Sequence, residues 1–126
     1  LTDSVQFLGR IDHDELSKYY RSADVFTLTS QTENHPIAMM EAMSSATPPV
    51  APSVGWIPEM IDDDRNGIVV ENRTPSAFAD AWKEVLTDPS ERDCLGTNAR
   101  DTACTQFEWE NKAKQLLNVF QSVHST

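Results

Sequence analysis

The sequence predicts an α/β domain in which a parallel sheet of about four strands is flanked by helices. Short apolar runs of strand length alternate along the chain with amphipathic segments of helical length. Such alternation is typical of parallel sheets whose strands are joined by right-handed helical crossovers. The length of 126 residues suits one domain with a core of its own, so we expect residues 1–126 to form a single domain.

Four segments are candidate strands. Residues 5–9 form a β-type run that a glycine closes. Residues 25–28 form a nearly continuous apolar run, as in strands that are buried on both faces of a sheet. Residues 48–52 are extended, although their three prolines limit the backbone donors that they can offer to a sheet. Residues 68–70 form a short β-type run after a polar turn.

Helix start signals precede apolar residues at helical spacing. Asp12, Thr74 and Asp88 are candidate N-caps, and Pro36 suits the first turn of a helix. The stripes that follow are Leu16, Tyr19 and Tyr20; residues 37–43; Phe78, Trp82, Val85 and Leu86; Leu95, Ala99 and Ala103; and Trp109, Ala113, Leu116, Leu117, Phe120 and Val123. We expect Trp82 and Trp109 to be core residues, and a turn at residues 54–58 to leave Trp56 exposed near the site.

Composition and charge exclude several functions. Acidic residues outnumber basic ones by 20 to 10, and the formal net charge of −10 argues against binding to nucleic acid or to anionic lipid. No apolar run reaches the roughly 20 residues of a membrane-spanning helix, and the first residues lack the features of a secretory signal. Asp62 to Asp64 lack calcium-loop spacing, and Cys94 and Cys104 are expected to be packed or idle thiols. We therefore expect a cytoplasmic protein without a bound metal.

The candidate site is the polar loop that follows residues 25–28 and leads into a helix. In parallel α/β sheets, ligands bind beyond the carboxyl ends of the strands, often at a helix N-terminus. The loop carries Ser30, Glu33, Asn34 and His35, and Glu41 follows Glu33 by eight positions. Carboxylates accept hydrogen bonds from the paired hydroxyls of a ribose or hexose, and the histidine could act as a base or a donor to phosphate. From these residues alone, a solvated loop with surface glutamates is an open alternative.

The segment from Ala23 to Met43 carries a more specific pattern, in which seven residues separate Glu33 from Glu41. It resembles the core of the group 1 (family 4 type) retaining glycosyltransferases, which use nucleotide sugars and have two Rossmann-like domains (the GT-B fold). Residues 5–9, 54–61 and 66–70 resemble further segments of that family in the same order. The resemblance covers nearly the whole chain and implies a partial, truncated carboxyl-terminal domain that binds the donor.

The resemblance also implies roles for individual residues. Glu33 would contact the donor sugar as the catalytic candidate, and Glu41 would accept hydrogen bonds from the ribose hydroxyls. Backbone N–H groups of His35 and Ile37 would face the sugar and the diphosphate, and Ser30 and Asn34 would be further substrate-binding residues. The nucleotide-diphosphate-sugar donor would be a substrate, and no metal or other cofactor is implied.

The sequence also departs from the family pattern. A glycine-aromatic-glycine stretch is replaced by Asn34, His35 and Pro36, a turn glycine by Ala46, and the second of two glycines by Trp56. Two strand–helix units that carry an Arg and a Lys for the diphosphate, and the acceptor domain, are not in the sequence. We therefore expect the donor-binding portion of a retaining glycosyltransferase, inactive in transfer on its own.

A second hypothesis is a non-catalytic, truncated relict that acts as an interaction module. In the family, the two missing strands lie between the strand at residues 5–9 and the strand at residues 25–28. Their loss would leave open sheet edges, which seek partners. This predicts a homodimer, or a rearranged sheet in which the strand at residues 5–9 pairs elsewhere. Related sugar-nucleotide epimerases share the architecture, but the pattern of Glu33 and Glu41 favours a transferase.

Overall fold

A computed structural model describes residues 2–124 and confirms an α/β fold with a parallel sheet flanked by helices. The sheet has three strands in the order β1 (Phe26–Thr27), β2 (Pro49–Pro52) and β3 (Ile68–Val70). Both pairs are parallel, with Phe26 opposite Pro49 and Val50 opposite Ile68. Because the strands are parallel, their carboxyl ends meet at one edge of the sheet, and the loops after β1 and β2 lie together there.

In the described part of the chain, six α-helices surround or extend from the sheet. They are α1 (His13–Ser22), α2 (Ile37–Ser44), α3 (Ile57–Met60), α4 (Pro75–Thr87), α5 (Pro89–Thr102) and α6 (Trp109–His124), with a π-helical turn at Ala103–Phe107 between α5 and α6. The predicted caps of two of them are present. The Thr74 side chain accepts a hydrogen bond from the Ala77 N–H, and the Asp88 side chain accepts from the N–H groups of Ser90 and Glu91.

The core lies on both sides of β2, whose four residues are all buried. Ala51 packs with residues of α2, α3 and α5 on one face of the sheet, and Val50 packs with residues of α4 on the other. The prolines are tolerated in this central strand because they are its first and last residues. Val50 and Ala51 lie between the two prolines, and they keep the backbone N–H groups that a central strand needs for hydrogen bonds to its neighbours.

The predicted strand at residues 5–9 is wrong, and the sheet has three strands rather than about four. Residues 5–9 have no regular secondary structure, and Phe7 is 95% exposed. A strand needs a neighbour for its backbone hydrogen bonds. Among residues 2–124, β1 pairs on one side only, with β2, and no strand lies next to it on the other side.

The expected burial of two tryptophans is also wrong. Trp109 is 83% exposed, and Leu116, Leu117 and Phe120 of the same stripe are more than half exposed. The stripe is apolar on one side of α6, but α6 adjoins the rest of the domain mainly through the Ala103–Phe107 turn. Trp82 is partly exposed because its ring reaches over the sheet, where Nε1 donates to the Thr27 hydroxyl at 2.8 Å. The cysteines are exposed rather than packed.

Helix α2 ends in a tight turn with a left-handed residue. The N–H of Ala46 donates to the Met43 carbonyl and the N–H of Thr47 to the Ala42 carbonyl, both at 3.0 Å. This is the Schellman pattern, in which the left-handed position is usually glycine. Here the residue is Ala46, at φ 62°. Its Cβ makes the left-handed backbone conformation strained, as for any L-residue with a side chain.

We predict that Ala46→Gly stabilises the protein, because glycine adopts this conformation without strain. The free energy of unfolding should rise by about 0.5–1 kcal/mol, the strain relieved less the extra chain entropy of glycine. Urea denaturation measures the change. Ala79→Gly is the matched control, since Ala79 is an exposed residue inside α4. The same substitution there should lower the free energy of unfolding by about 0.5–1 kcal/mol. A decrease for both variants would contradict the prediction.

Candidate functional site

The candidate site lies at the carboxyl edge of the sheet, where the loop after β1 meets the turn after β2. Gly55 is in the left-handed region at φ 55° and packs directly against the backbone of Glu33. A Cβ added to Gly55 would lie 1.6 Å from the Glu33 carbonyl oxygen. The contact therefore requires glycine, and it fixes the height of the Glu33 loop above the sheet.

Besides the contact with Gly55, two hydrogen bonds hold the Glu33 loop in place. The Ser30 hydroxyl donates to Glu33 Oε1 at 2.5 Å. The Arg73 guanidinium, just before α4, donates from Nη1 to the Gln31 carbonyl at 3.2 Å. The Glu33 carboxylate is thus tied to its own loop through Ser30, with acceptor sites left on both oxygens.

The loop ends at the N-terminus of α2, where backbone donors are free of helical partners. Pro36 is the N-cap and offers no side-chain cap. The N–H groups of Met39 and Met40 donate to the Pro36 carbonyl and form the first hydrogen bonds of the helix. The N–H groups of Ile37 and Ala38 precede these bonds and have no acceptor within the helix. Such N–H groups, together with the helix dipole, favour an anion.

Glu41 lies one turn further along α2 and faces α1. The Tyr20 hydroxyl donates to Glu41 Oε2 at 3.2 Å, and His13 Nδ1 lies 3.6 Å from Oε1. The Glu41 side chain is half-buried. Burial, the hydrogen bond to Glu41 and the Glu41 charge together raise the pKa of Tyr20 from 10.0 to about 12. The phenol therefore keeps its proton at neutral pH, and it is the donor of this hydrogen bond.

A groove between α2 and the start of α6 contains half of the predicted site residues. Its volume is about 550 Å³, and its lining includes His35, Ile37, Glu41, Phe107 and Trp109. The His35 ring meets the Phe107 ring edge to face, with centroids 6.0 Å apart. Glu41 also borders a second pocket between α1 and α2 of about 130 Å³. Of these two pockets that Glu41 borders, the groove has the volume of a small-molecule site and the second pocket is smaller.

The other predicted residues lie on the loop rather than in the groove lining. Ser30 and Glu33 pair with each other, and Asn34 is exposed beside them. Trp56 is exposed next to Gly55, as expected, at the N-terminus of α3. The sequence interpretation missed Tyr20 and His13 as partners of Glu41. No local signal marks them, because Tyr20 and Glu41 are 21 residues apart.

Two further features bear on the exclusions made from the sequence. Within residues 2–124, no three His, Cys, Asp or Glu side chains are grouped so that they could hold a metal ion. In the aspartate turn, Asp62 contacts Arg65, and Asp63 Oδ1 accepts from the N–H of Val69, the middle residue of β3. None of the described helices is long and apolar enough to span a bilayer, and the cytoplasmic location stays a prediction.

A parallel sheet with flanking helices and a polar loop that enters a helix N-terminus defines a Rossmann-like α/β domain. The chain belongs to the group 1 glycosyl transferases, whose family pattern matches residues 1–102. It is 38% identical over 117 residues to an uncharacterized glycosyltransferase of Methanocaldococcus jannaschii. It is 33% identical over 117 residues to a D-inositol 3-phosphate glycosyltransferase of Corynebacterium kroppenstedtii. Both alignments cover 93% of this chain but only 30% and 26% of the two relatives.

Solved structures agree with this assignment and confirm the GT-B architecture. Sucrose-phosphate synthase from Thermosynechococcus elongatus superimposes with a TM-score of 0.89 at 32% identity, over 98% of this chain and 31% of that one. A glycine-to-arginine mutant of S. aureus TarM, in a complex that includes UDP, superimposes with a TM-score of 0.76 at 27% identity, over 84% of this chain and 22% of that one. The chain thus corresponds to less than a third of each of these proteins.

We predict that Gly55→Ala displaces the Glu33 loop, because the new methyl group cannot share space with the Glu33 carbonyl. The strain and overlap should lower the free energy of unfolding by more than about 2 kcal/mol, as measured in urea. Amide exchange at residues 30–34 should accelerate. The matched control is Gly9→Ala, since Gly9 also has a positive φ, of 67°, but no atom lies within 4 Å of its added Cβ. That variant should lose about 1 kcal/mol or less; equal losses would contradict the predicted overlap.

Proposed function

We propose that this chain binds a nucleotide-diphosphate-sugar and is the donor-binding portion of a retaining glycosyltransferase. The observation that carries the proposal is the position of Glu41, whose half-buried carboxylate borders a groove beside the N-terminus of α2. Membership of the group 1 family supports it, as does the presence of UDP in the TarM complex.

Each part of the donor has a suitable partner in this arrangement. A carboxylate can accept hydrogen bonds from both vicinal hydroxyls of a ribose, and Glu41 supplies one. The N–H groups at the start of α2 suit the diphosphate. Glu33, Ser30 and Asn34 lie on the preceding loop, where the sugar hydroxyls would be. We propose these loop residues as the sugar contacts, with Glu33 as the residue closest to the reacting centre.

Sugar transfer needs more positive charge than the groove supplies. A diphosphate leaving group is stabilised by cationic or metal partners. The groove lining includes one lysine, Lys112, and two carboxylates, Glu41 and Glu108. Arg73 is engaged with the Gln31 carbonyl. We therefore propose that this chain alone binds the donor without turning it over, and that binding needs no resident metal.

We predict that Glu41→Gln weakens donor binding by about 10- to 100-fold. The amide NH2 group replaces one of the two acceptor oxygens, and the negative charge that strengthens the hydrogen bonds from ligand hydroxyls is lost. Isothermal titration with UDP-, GDP- and ADP-sugars, in buffer with EDTA, measures the affinity. Glu84→Gln, at an exposed position on α4, is the control for the change in net charge and should bind like the wild type. Absence of heat with every donor, in a folded wild-type sample, would refute the proposal.

A second proposal concerns self-association through the open edge of β1. The N–H of Phe26 donates to the Pro48 carbonyl, just before β2, at 3.0 Å, and the N–H of Leu28 donates to the Val50 carbonyl of β2 at 3.2 Å. Because successive backbone groups of a strand point in opposite directions, the N–H of Thr27 points away from β2, toward the edge. An exposed edge of this kind pairs readily with a second strand, and we propose that two copies meet there as a homodimer.

We predict that Thr27→Pro converts this dimer to a monomer, because proline removes the outward donor without touching the bonds to β2. Light scattering at tens of micromolar protein measures the mass. Thr27→Val is the matched control, since it also loses the hydroxyl that accepts from Trp82 but keeps the N–H. It should remain a dimer. A wild-type chain with the mass of one copy would dismiss this second proposal and leave donor binding unaffected.

A further inference from the structure

We propose that Tyr20 is the positioning residue for Glu41, an inference that rests on the proposed binding of a nucleotide by Glu41. The Tyr20 hydroxyl holds one carboxylate oxygen from the α1 side. The remaining acceptor sites of Glu41 are thereby kept in one orientation for a pair of ligand hydroxyls. Tyr20 itself touches no ligand in this arrangement.

The geometry of the carboxylate carries the first step. Tyr20 donates to Oε2 at 3.2 Å, while an ionised carboxylate offers about four acceptor sites on its two oxygens. One phenol therefore fixes the rotation of the group and leaves capacity for two further hydroxyls. A glutamate side chain on a helix surface otherwise loses rotamer freedom when it binds, so a carboxylate held in advance binds more tightly.

Tyr20 can act in this way because it is itself fixed at two points besides its hydroxyl. Its ring meets the Phe26 ring of β1 nearly edge to face, with centroids 5.9 Å apart. Its carbonyl accepts from the Thr47 hydroxyl at 2.5 Å, and Thr47 is only 2% exposed in the turn that ends α2. The phenol and the carboxylate are thus both held relative to α2, which carries Glu41.

His13 is the other group near this carboxylate, and it is a weaker candidate. Its Nδ1 lies 3.6 Å from Oε1, beyond hydrogen-bond distance, and its side chain is 82% exposed at the start of α1. A solvated imidazole at that distance imposes little on the orientation of Glu41. The positioning role therefore falls to Tyr20.

Tyr20→Phe tests the inference, because it keeps the ring and removes only the hydroxyl. The probes are the nucleoside diphosphate among UDP, GDP and ADP that the wild type binds most tightly, and its 2′,3′-dideoxy counterpart. We expect the variant to bind the ribonucleotide about 5- to 20-fold more weakly and the dideoxynucleotide as the wild type does. Tyr19→Phe, at the exposed neighbouring position, should leave both affinities unchanged. In a Glu41→Gln background, Tyr20→Phe should have no further effect.

The outcomes separate this inference from the proposed function. Equal losses of affinity for both nucleotides would show a structural role of Tyr20 and overturn the inference. If Tyr20→Phe binds the ribonucleotide as tightly as the wild type does, the inference is also overturned. A folded wild-type chain that binds neither nucleotide, or does not distinguish them, would overturn the proposed role of Glu41 and the inference with it. Only a loss confined to the ribonucleotide and dependent on Glu41 supports it.

Discussion

The turn that ends α2 is the constraint on which the other elements depend. Its left-handed residue, Ala46, lets the Ala46 carbonyl meet α5 so closely that a Cβ on Gly96 would lie 2.3 Å from it. The next residue, Thr47, ties the end of α1 through the Tyr20 carbonyl, and β2 begins two residues later. One turn thus sets the positions of α1, α2, α5 and the central strand. The candidate site depends on this turn because Glu41 and its partner Tyr20 lie on two of those helices.

Local signals in the sequence predicted what local forces decide. The N-caps of α4 and α5 involve side chains and N–H groups within three residues of each other, so the sequence at each start was sufficient. The strand at residues 5–9 and the burial of Trp109 could not be predicted in this way. Alternation and periodicity report which face of a segment is apolar, whereas burial needs a second surface opposite that face. Among the described residues that surface is absent, both beside β1 and along α6.

The candidate site also contains features that the sequence predicts and features that it does not. Its backbone features, the loop after β1 and the free N–H groups of α2, follow from the order of strand, loop and helix. The loop residues point to Glu33 and Glu41, and the resemblance implies a role for each. The fold places His35, Ile37 and Glu41 around one groove. The sequence does not predict the role of Tyr20, because the spacing of Leu16, Tyr19 and Tyr20 indicates only that the three side chains share an apolar face. A tyrosine is apolar in its ring and polar at its tip, and only the packing of α1 on α2 shows where the tip is directed.

The net charge of the protein sets a condition on the proposed binding of an anionic donor. The net charge of −10 opposes the approach of a nucleotide diphosphate rather than steering it. Neither the lysine in the groove nor the dipole of an eight-residue helix reverses that field, since a helix terminus acts as roughly half a charge. Under the proposed function, affinity for the donor would therefore come from short-range hydrogen bonds of fixed direction, which do not depend on the net charge of the protein. A carboxylate that is held in place before the ligand arrives would meet this requirement, and the hydrogen bond from Tyr20 to Glu41 is the contact through which we propose that it is met.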